Sequence, residues 1–439
     1  MALNRFGGQG NHPKANGANG AGGVVRPARA MRVILVASLL LGVACSQNRK
    51  PSAYQAELEE LGKDLAAVER ERDDSEGVRK KAGKIAFLLY RKASLTGDHG
   101  DFNTAEQAIE RALQGPGPLE ELYLLKAKLD FRWHRIPQAR EDLEKAPNAA
   151  NTVLYEALRA DLAFQEGRYD DARKSYETLV QKYGTWDCFA RLAYHSFIMG
   201  DVAEADKLYR SAQEHITARE MECYSWVELQ RGYLQFSRGQ FEAALAHYTR
   251  AEEAYSGWWQ VEEYVAEVLG AQRRFPEAET IYKKLIAYSP RPEFHDALGD
   301  LYLFMEDSER ARPWHDKALA GFLESARQGN LHYLHHLAGF YSDIRPDGTE
   351  AVRWASQDIA LRDNFLTQEA LAEALLRNNQ FGEALAAIER ALSSNVQDAH
   401  LFALAAEINL ANGKAEEARQ FSAKATQINP RHESFHVHH

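Results

Sequence analysis

Cysteine is nearly absent from this chain: three occur in 439 residues, at Cys45, Cys188 and Cys223. A framework of several disulfides is therefore excluded as the source of its stability. Long apolar segments are scarce too, and the run from Val33 to Ala44 is 12 residues, too short to cross a bilayer as a helix. Basic residues are in the minority, with 53 Lys and Arg against 63 Asp and Glu, and that balance opposes a nucleic-acid partner. No Gly-x-Ser-x-Gly elbow, phosphate loop or strand leading into a glycine-rich turn is present, so the common hydrolase and nucleotide chemistries lack their carriers. The chain reads as non-enzymatic.

What the sequence has instead is a period. Ala105, Ala139, Ala172, Ala205, Ala244, Ala278, Ala311, Ala351, Ala384 and Ala418 follow one another at spacings of 34, 33, 33, 39, 34, 33, 40, 33 and 34. A repeat of this length marks stacked copies of one supersecondary unit. The last unit is the clearest: an apolar stretch Leu401 to Leu410 runs into Gly413, and Ala418 and Ala425 lead to Pro430. Glycine tolerates the positive φ that ends a helix and proline cannot continue one, so each unit is two antiparallel helices. Small residues recur eight places into each first helix (Ala93, Ala127, Ala160, Ala193, Gly232, Ala266, Gly299, Gly339, Ala372, Ala406). Larger ones recur four places after the phased alanine (Ile109, Leu143, Tyr176, Tyr209, Tyr248, Tyr282, Ile388), so small faces large across the pair.

The segments Gly167 to Ala172, Gly239 to Leu245 and Asn379 to Leu385 resemble the inter-helix turn and second-helix opening of the tetratricopeptide repeat (TPR) family. The resemblance covers about residues 86–430. It implies an all-α, right-handed superhelical solenoid of about ten helix-turn-helix repeats that binds protein partners. The two long spacings predict extra residues near Arg219 to Glu222 and near Arg345 to Thr349. Residues 45–85 would form a linker and an amphipathic helix, its stripe Leu58, Leu61, Leu65 and Val68 capping the array or, alternatively, pairing as a coiled coil.

Residues 1–44 read as an address. They contain five basic residues and no acid, and Met31-Arg32 precedes the 12-residue apolar run. Cys45 follows directly, as in a bacterial lipoprotein signal, which this segment resembles except that Gly42 stands where that family usually places leucine. The expected outcome is an exported chain lipidated at Cys45 and held at the outer membrane or in the periplasm. Cleavage by ordinary signal peptidase stays open, as does a buried N-terminal helix in a cytoplasmic adaptor. Met31 would serve equally as the start, making residues 1–30 an extension. Without residues 1–44 the chain holds 48 basic against 63 acidic residues. In an oxidising compartment Cys188 and Cys223, on adjacent units, could pair.

In the resembled family the concave face carries the ligand. Its positions read aromatic in the first half and acidic in the second: Tyr194, Trp226 and Tyr233, then Glu263, Glu267, Asp296, Asp300, Phe340 and Glu373, with Phe131, Phe164, Phe197 and Phe236 in consecutive units. Such a groove would take an extended segment bearing apolar and basic side chains. The phenylalanines fit inter-repeat packing equally well. No cofactor is expected, with one alternative: His332, His335 and His336 cluster at helical spacing, and the tail 431–439 holds His432 and His436 in a His-Glu-x-x-His string, so a divalent metal is a candidate ligand.

The lipoprotein reading has a direct check. Wild-type protein should fractionate with membranes, and Cys45→Ala should release a soluble or unprocessed form; identical fractionation of the two would refute it.

Overall fold

The computed structural model describes residues 51–71, 77–114 and 120–437, with only the backbone of 77–80. The signal segment and Cys45 lie outside the described residues. Among these, 21 α-helices occur and no strand. Ala53–Glu69 comes first, and the other twenty form ten antiparallel pairs, from Gly77–Thr96 with His99–Leu113 to Ala399–Ala411 with Ala415–Ile428. The first repeat thus opens at Gly77, earlier than the boundary near 86.

Nine of the ten pairs are joined by a turn whose key residue has positive φ. Glycine supplies it at Gly97, Gly167, Gly200, Gly239 and Gly413, while His134, Arg273, Glu306 and Asn379 adopt it without being glycine. The second helix then starts on a side-chain cap in several repeats: Asp201 accepts from the Glu204 amide, and Asp307 from that of Arg310.

The alanine register holds throughout, because all ten phased alanines are buried. Its reason is visible at Gly232, where a Cβ would lie 2.1 Å from Cε1 of Tyr248. The same contact recurs at Gly299 against His315, which takes the tyrosine's place. At Gly339 nothing approaches, since the first helix of the eighth repeat is only Leu334–Gly339 and passes into a π-turn, Phe340–Ile344.

The two long spacings are absorbed differently from expectation. Met221–Phe236 lengthens to 16 residues beside the loop near Arg219, as foreseen in part. The other insertion lies mainly in Ser308–Arg327, a 20-residue second helix, and not near Arg345. A helix extends at little cost when its added turn buries a face, and Phe322 and Ser325 there are buried.

The superhelix is wound tightly enough for successive windings to touch. The turn of each early repeat meets the start of the first helix six repeats later. Gly97 O accepts from the Arg291 guanidinium at 3.3 Å, and Leu95 O from Trp259 Nε1, one repeat nearer, at 3.0 Å. Gln165 O accepts from Asn364 Nδ2 at 3.0 Å, and Ile198 O from the Gln397 amide at 2.9 Å. Glycine is needed here twice over: a Cβ on Gly200 would sit 2.6 Å from Cγ of Gln397. Ala53–Glu69 follows the same rule, since the Ala53 and Tyr54 amides both donate to Ser256. Its Tyr54 and Leu61 are buried in the central core. It neither caps the end alone nor presents a free coiled-coil seam.

The register predicts the response to one methyl group. Gly→Ala inside a helix normally stabilises by ~1 kcal/mol, but Gly232→Ala drives Cβ into the Tyr248 ring, an overpacking cost of ~1–3 kcal/mol. The variant should be destabilised, with faster amide exchange centred on 221–254; unchanged or slower exchange there would contradict this packing.

Candidate functional site

The inner face begins as an aromatic ladder. Phe164 stands 5.6 Å from Tyr194, Tyr194 lies 6.4 Å from Phe197, Phe197 is 5.9 Å from Tyr233, and Tyr233 is 6.1 Å from Tyr264. Tyr194, Tyr233, Phe131 and Phe197 are half-buried; Phe164 and Phe236 are buried. Trp226 departs from expectation: at 3% exposure it packs edge-on against Trp186, 6.0 Å away, as repeat core. Phe340 is likewise buried, its ring 5.9 Å from His315.

The acidic half follows the sequence in position but not in accessibility. Glu263 and Glu267 are buried. Glu293 accepts from the Tyr333 hydroxyl at 2.5 Å and pairs with Arg291 at 3.3 Å. Asp300 bonds His315 Nε2 at 2.9 Å. Asp296 Oδ1 is buried with no hydrogen-bond partner, and burial, then the charges of Asp300 and Glu293, push its carboxyl well above the usual range. Glu369 is raised by burial and then by Asp398 and Glu373. Glu373 is pushed up to about 8, by burial first and then by Asp343, despite Arg377.

Part of this face is already occupied. Residues 431–434 form a turn, not a helix, so the spacing of His432 and His436 does not place them on one helical face. The chain instead extends through Phe435–Val437 into the interior. The Val437 amide donates to Glu267 Oε1 at 2.8 Å, and His436 Nδ1 lies 3.3 Å from the same oxygen. Phe435 is buried beside Gly270 and 5.8 Å from Phe304, and His436 packs on Phe236 and His400. His436 is therefore engaged with Glu267, Phe236 and His400, and the tail reads as an internal occupant of the groove. No pattern of residue types signals this, since one backbone amide and a glycine gap decide it.

The rings of His332, His335 and His336 lie together, with two more. His99 and His134, from the turns of the first two repeats, stand 5.1 and 5.2 Å from His332. The sequence offered only a faint sign of them: His134 occupies the turn position that glycine fills in half of the repeats. Among the described residues, the group whose ligand atoms already lie within metal-binding reach is a different one, Asp296, Asp300 and His315, with atoms within 4.8 Å of one another. Cys188 and Cys223 are both buried and unpaired, so no disulfide links these repeats.

The raised carboxyls make stability depend on pH. A folded pKa above the unfolded value means a contribution that is complete below about 4.5 and lost as pH climbs toward 8. The Glu373 side chain is 28% exposed, so solvent reduces the cost of ionising it to ~1–3 kcal/mol. Glu373→Gln should match wild type in thermal unfolding near pH 5 and exceed it at pH 8. A variant equally or more destabilised at pH 8 would show that the Arg377 pairing dominates.

A family model described as Tetratricopeptide repeat matches residues 157–218, 229–292 and 369–433. Among solved structures, the APC/C hetero-tetramer Cut9-Hcn1 is similar at 13% identity, over 84% of this chain and 64% of that one, with a TM-score of 0.46. A tetratricopeptide repeat protein from Parabacteroides merdae ATCC 43184 shows 21% identity over 58% and 93%, with a TM-score of 0.34. Naa15/Naa10 bound to HypK-THB shows 16% over 84% and 65%, with a TM-score of 0.28. The chain spans less than two thirds of the first and third of these. No curated protein matches it in sequence. Ten helix pairs in one alanine register and three stretches matched by the family's model support the tetratricopeptide repeat family for this chain.

Proposed function

We propose that this protein is an exported scaffold, anchored through Cys45, whose inner face holds an extended segment of a partner protein. The repeats support a role in protein–protein interaction, and families of this kind generally carry no chemistry of their own. The observation that carries the finer reading is the seating of Phe435–Val437. An apolar ring fills the gap over Gly270, while a backbone amide and an imidazole meet Glu267. The partner segment would present the same features, an aromatic or aliphatic side chain beside a donor or cationic group, and would take the place of the tail. Tyr194 and Tyr233 extend the apolar wall, and Asp296, Asp300 and Glu373 extend the acidic one. Raised carboxyl pKa values mark sites where a cation is missing, so a basic side chain arriving there would lower the free energy of both.

The groove reading is tested by separating the tail from its seat. A chain truncated after Pro430 should bind a synthetic peptide of residues 431–439 in trans, while the intact chain should not. Gly270→Ala in the truncated chain should weaken binding by about tenfold, because the added Cβ would lie 2.4 Å from Phe435 Cδ1 and overpacking of that kind costs ~1–3 kcal/mol. A folded truncated chain that binds no peptide, or binds equally well with Gly270→Ala, would remove the proposal.

A further inference from the structure

Five imidazoles meet where the turn of the second repeat touches the start of the eighth. Three of them form a triangle: His134 to His332 is 5.2 Å between ring centres, His332 to His335 is 5.9 Å, and His134 to His335 is 6.1 Å. His99 stands 5.1 Å from His332, and His336 stands 4.2 Å from His335. Nδ1 of His99, His134 and His335 is buried with no hydrogen-bond partner. Three orphaned ring nitrogens in one place are costly, and buried polar groups ordinarily find a partner.

We propose that His134, His332 and His335 bind one divalent transition-metal ion, of the zinc or nickel class, which ties the first winding of the superhelix to the second. A metal ~2.1 Å from a ring nitrogen lies ~3.2 Å from the ring centre, so imidazoles sharing a tetrahedral or trigonal ion stand ~5–5.5 Å apart. The observed triangle exceeds that by about half an ångström on two edges, a gap that ring rotation and a small closure of the windings remove. As they stand, the nitrogens are not converged. His99 or His336 is placed to complete the set. An all-imidazole set favours zinc, nickel, copper or cobalt over magnesium and calcium, which take oxygen.

The local charges permit this. Arg362 faces His134 and His335, but its guanidinium is engaged by Asp358 at 3.0 and 3.1 Å. Burial first holds all three rings well below the ordinary histidine range, followed by Arg362 at His134, His99 at His332 and His336 at His335. The rival group, Asp296, Asp300 and His315, has a simpler explanation. His315 and Asp300 occupy the registers of Tyr176 and Asp161, whose hydroxyl-to-carboxylate bond of 3.0 Å closes the third repeat. Their contact is the helix-pair bond of the seventh.

The test uses the chain without a histidine tag, stripped with chelator, loaded with zinc chloride and dialysed before its metal is counted by mass spectrometry. One equivalent should be retained, with a rise in melting temperature. His134→Gly is the decisive variant, because φ is 59° at this position and glycine relieves the strain while removing a ligand. It should fold as well as wild type without metal yet bind zinc at least about tenfold more weakly. His335→Ala should also lose the metal, whereas Asp300→Asn and the pair His432→Ala and His436→Ala should keep it. No retained zinc in the wild type would overturn the proposal. So would unchanged affinity in His134→Gly, or a loss confined to the aspartate or tail variants. Should His335→Ala fail to fold, the zinc affinity of His134→Gly decides between these outcomes.

Discussion

The contact between one winding and the next governs the rest of this structure. A chain of repeats that touches only its sequential neighbours is quasi-one-dimensional, and its stability is a sum of local terms. Here the turn of a repeat also meets the helix start six repeats on, through bonds such as Arg291 to Gly97 and Asn364 to Gln165. Each such bond is worth only ~0.5–1.5 kcal/mol. Yet they recur at repeat after repeat, so opening one unit breaks contacts in two directions. The same closeness explains the glycines: Gly97 faces Arg291 and Trp259, and Gly200 faces Gln397, each with no room for a side chain.

That constraint also separates what could be read in the sequence from what could not. The helix pair is a local object, built from residues about a dozen to twenty apart, and it imprints a period. The alanine register, the glycine turns and the tyrosines opposite Gly232 and Ala266 were therefore legible residue by residue. The winding contacts span up to 199 residues and use a tryptophan, an arginine, an asparagine and a glutamine in turn. Bonds to backbone oxygen leave no residue-type signature. The exposure of the inner-face positions depended on packing beyond their own helix, so Trp226 proved buried against Trp186 and Glu267 under the tail. His99 and His134 were missed for the same reason, since only the winding brings them to His332.

Burial changes the meaning of the acidic half. On an open groove, carboxylates would be hydrated and would act mainly by steering a ligand. On this partly covered face, desolvation and then neighbouring carboxylates, Asp398 and Glu373 beside Glu369 and Asp343 beside Glu373, push both carboxyls above the usual range. Arg377 spreads its charge over Asp343, Glu373 and Glu407 and satisfies none fully. Such a face is strained in its apo state, and the strain is relieved by whatever donates protons or positive charge to it.

The tail shows how that relief works. Following the winding rule, the turn of the fifth repeat should meet the start of an eleventh. Instead, a Cβ on Gly239 would fall 2.6 Å from Asn429 and 3.2 Å from Arg431, the residues that close the tenth repeat and begin the tail. The tail therefore stands where the next first helix would begin, and it completes the winding contact without adding a repeat. Because it enters extended and not helical, its amide at Val437 is left to donate to Glu267, which a helix would have consumed internally. An extended segment of the chain is thereby held on the inner face by a bond that a helical one would lack.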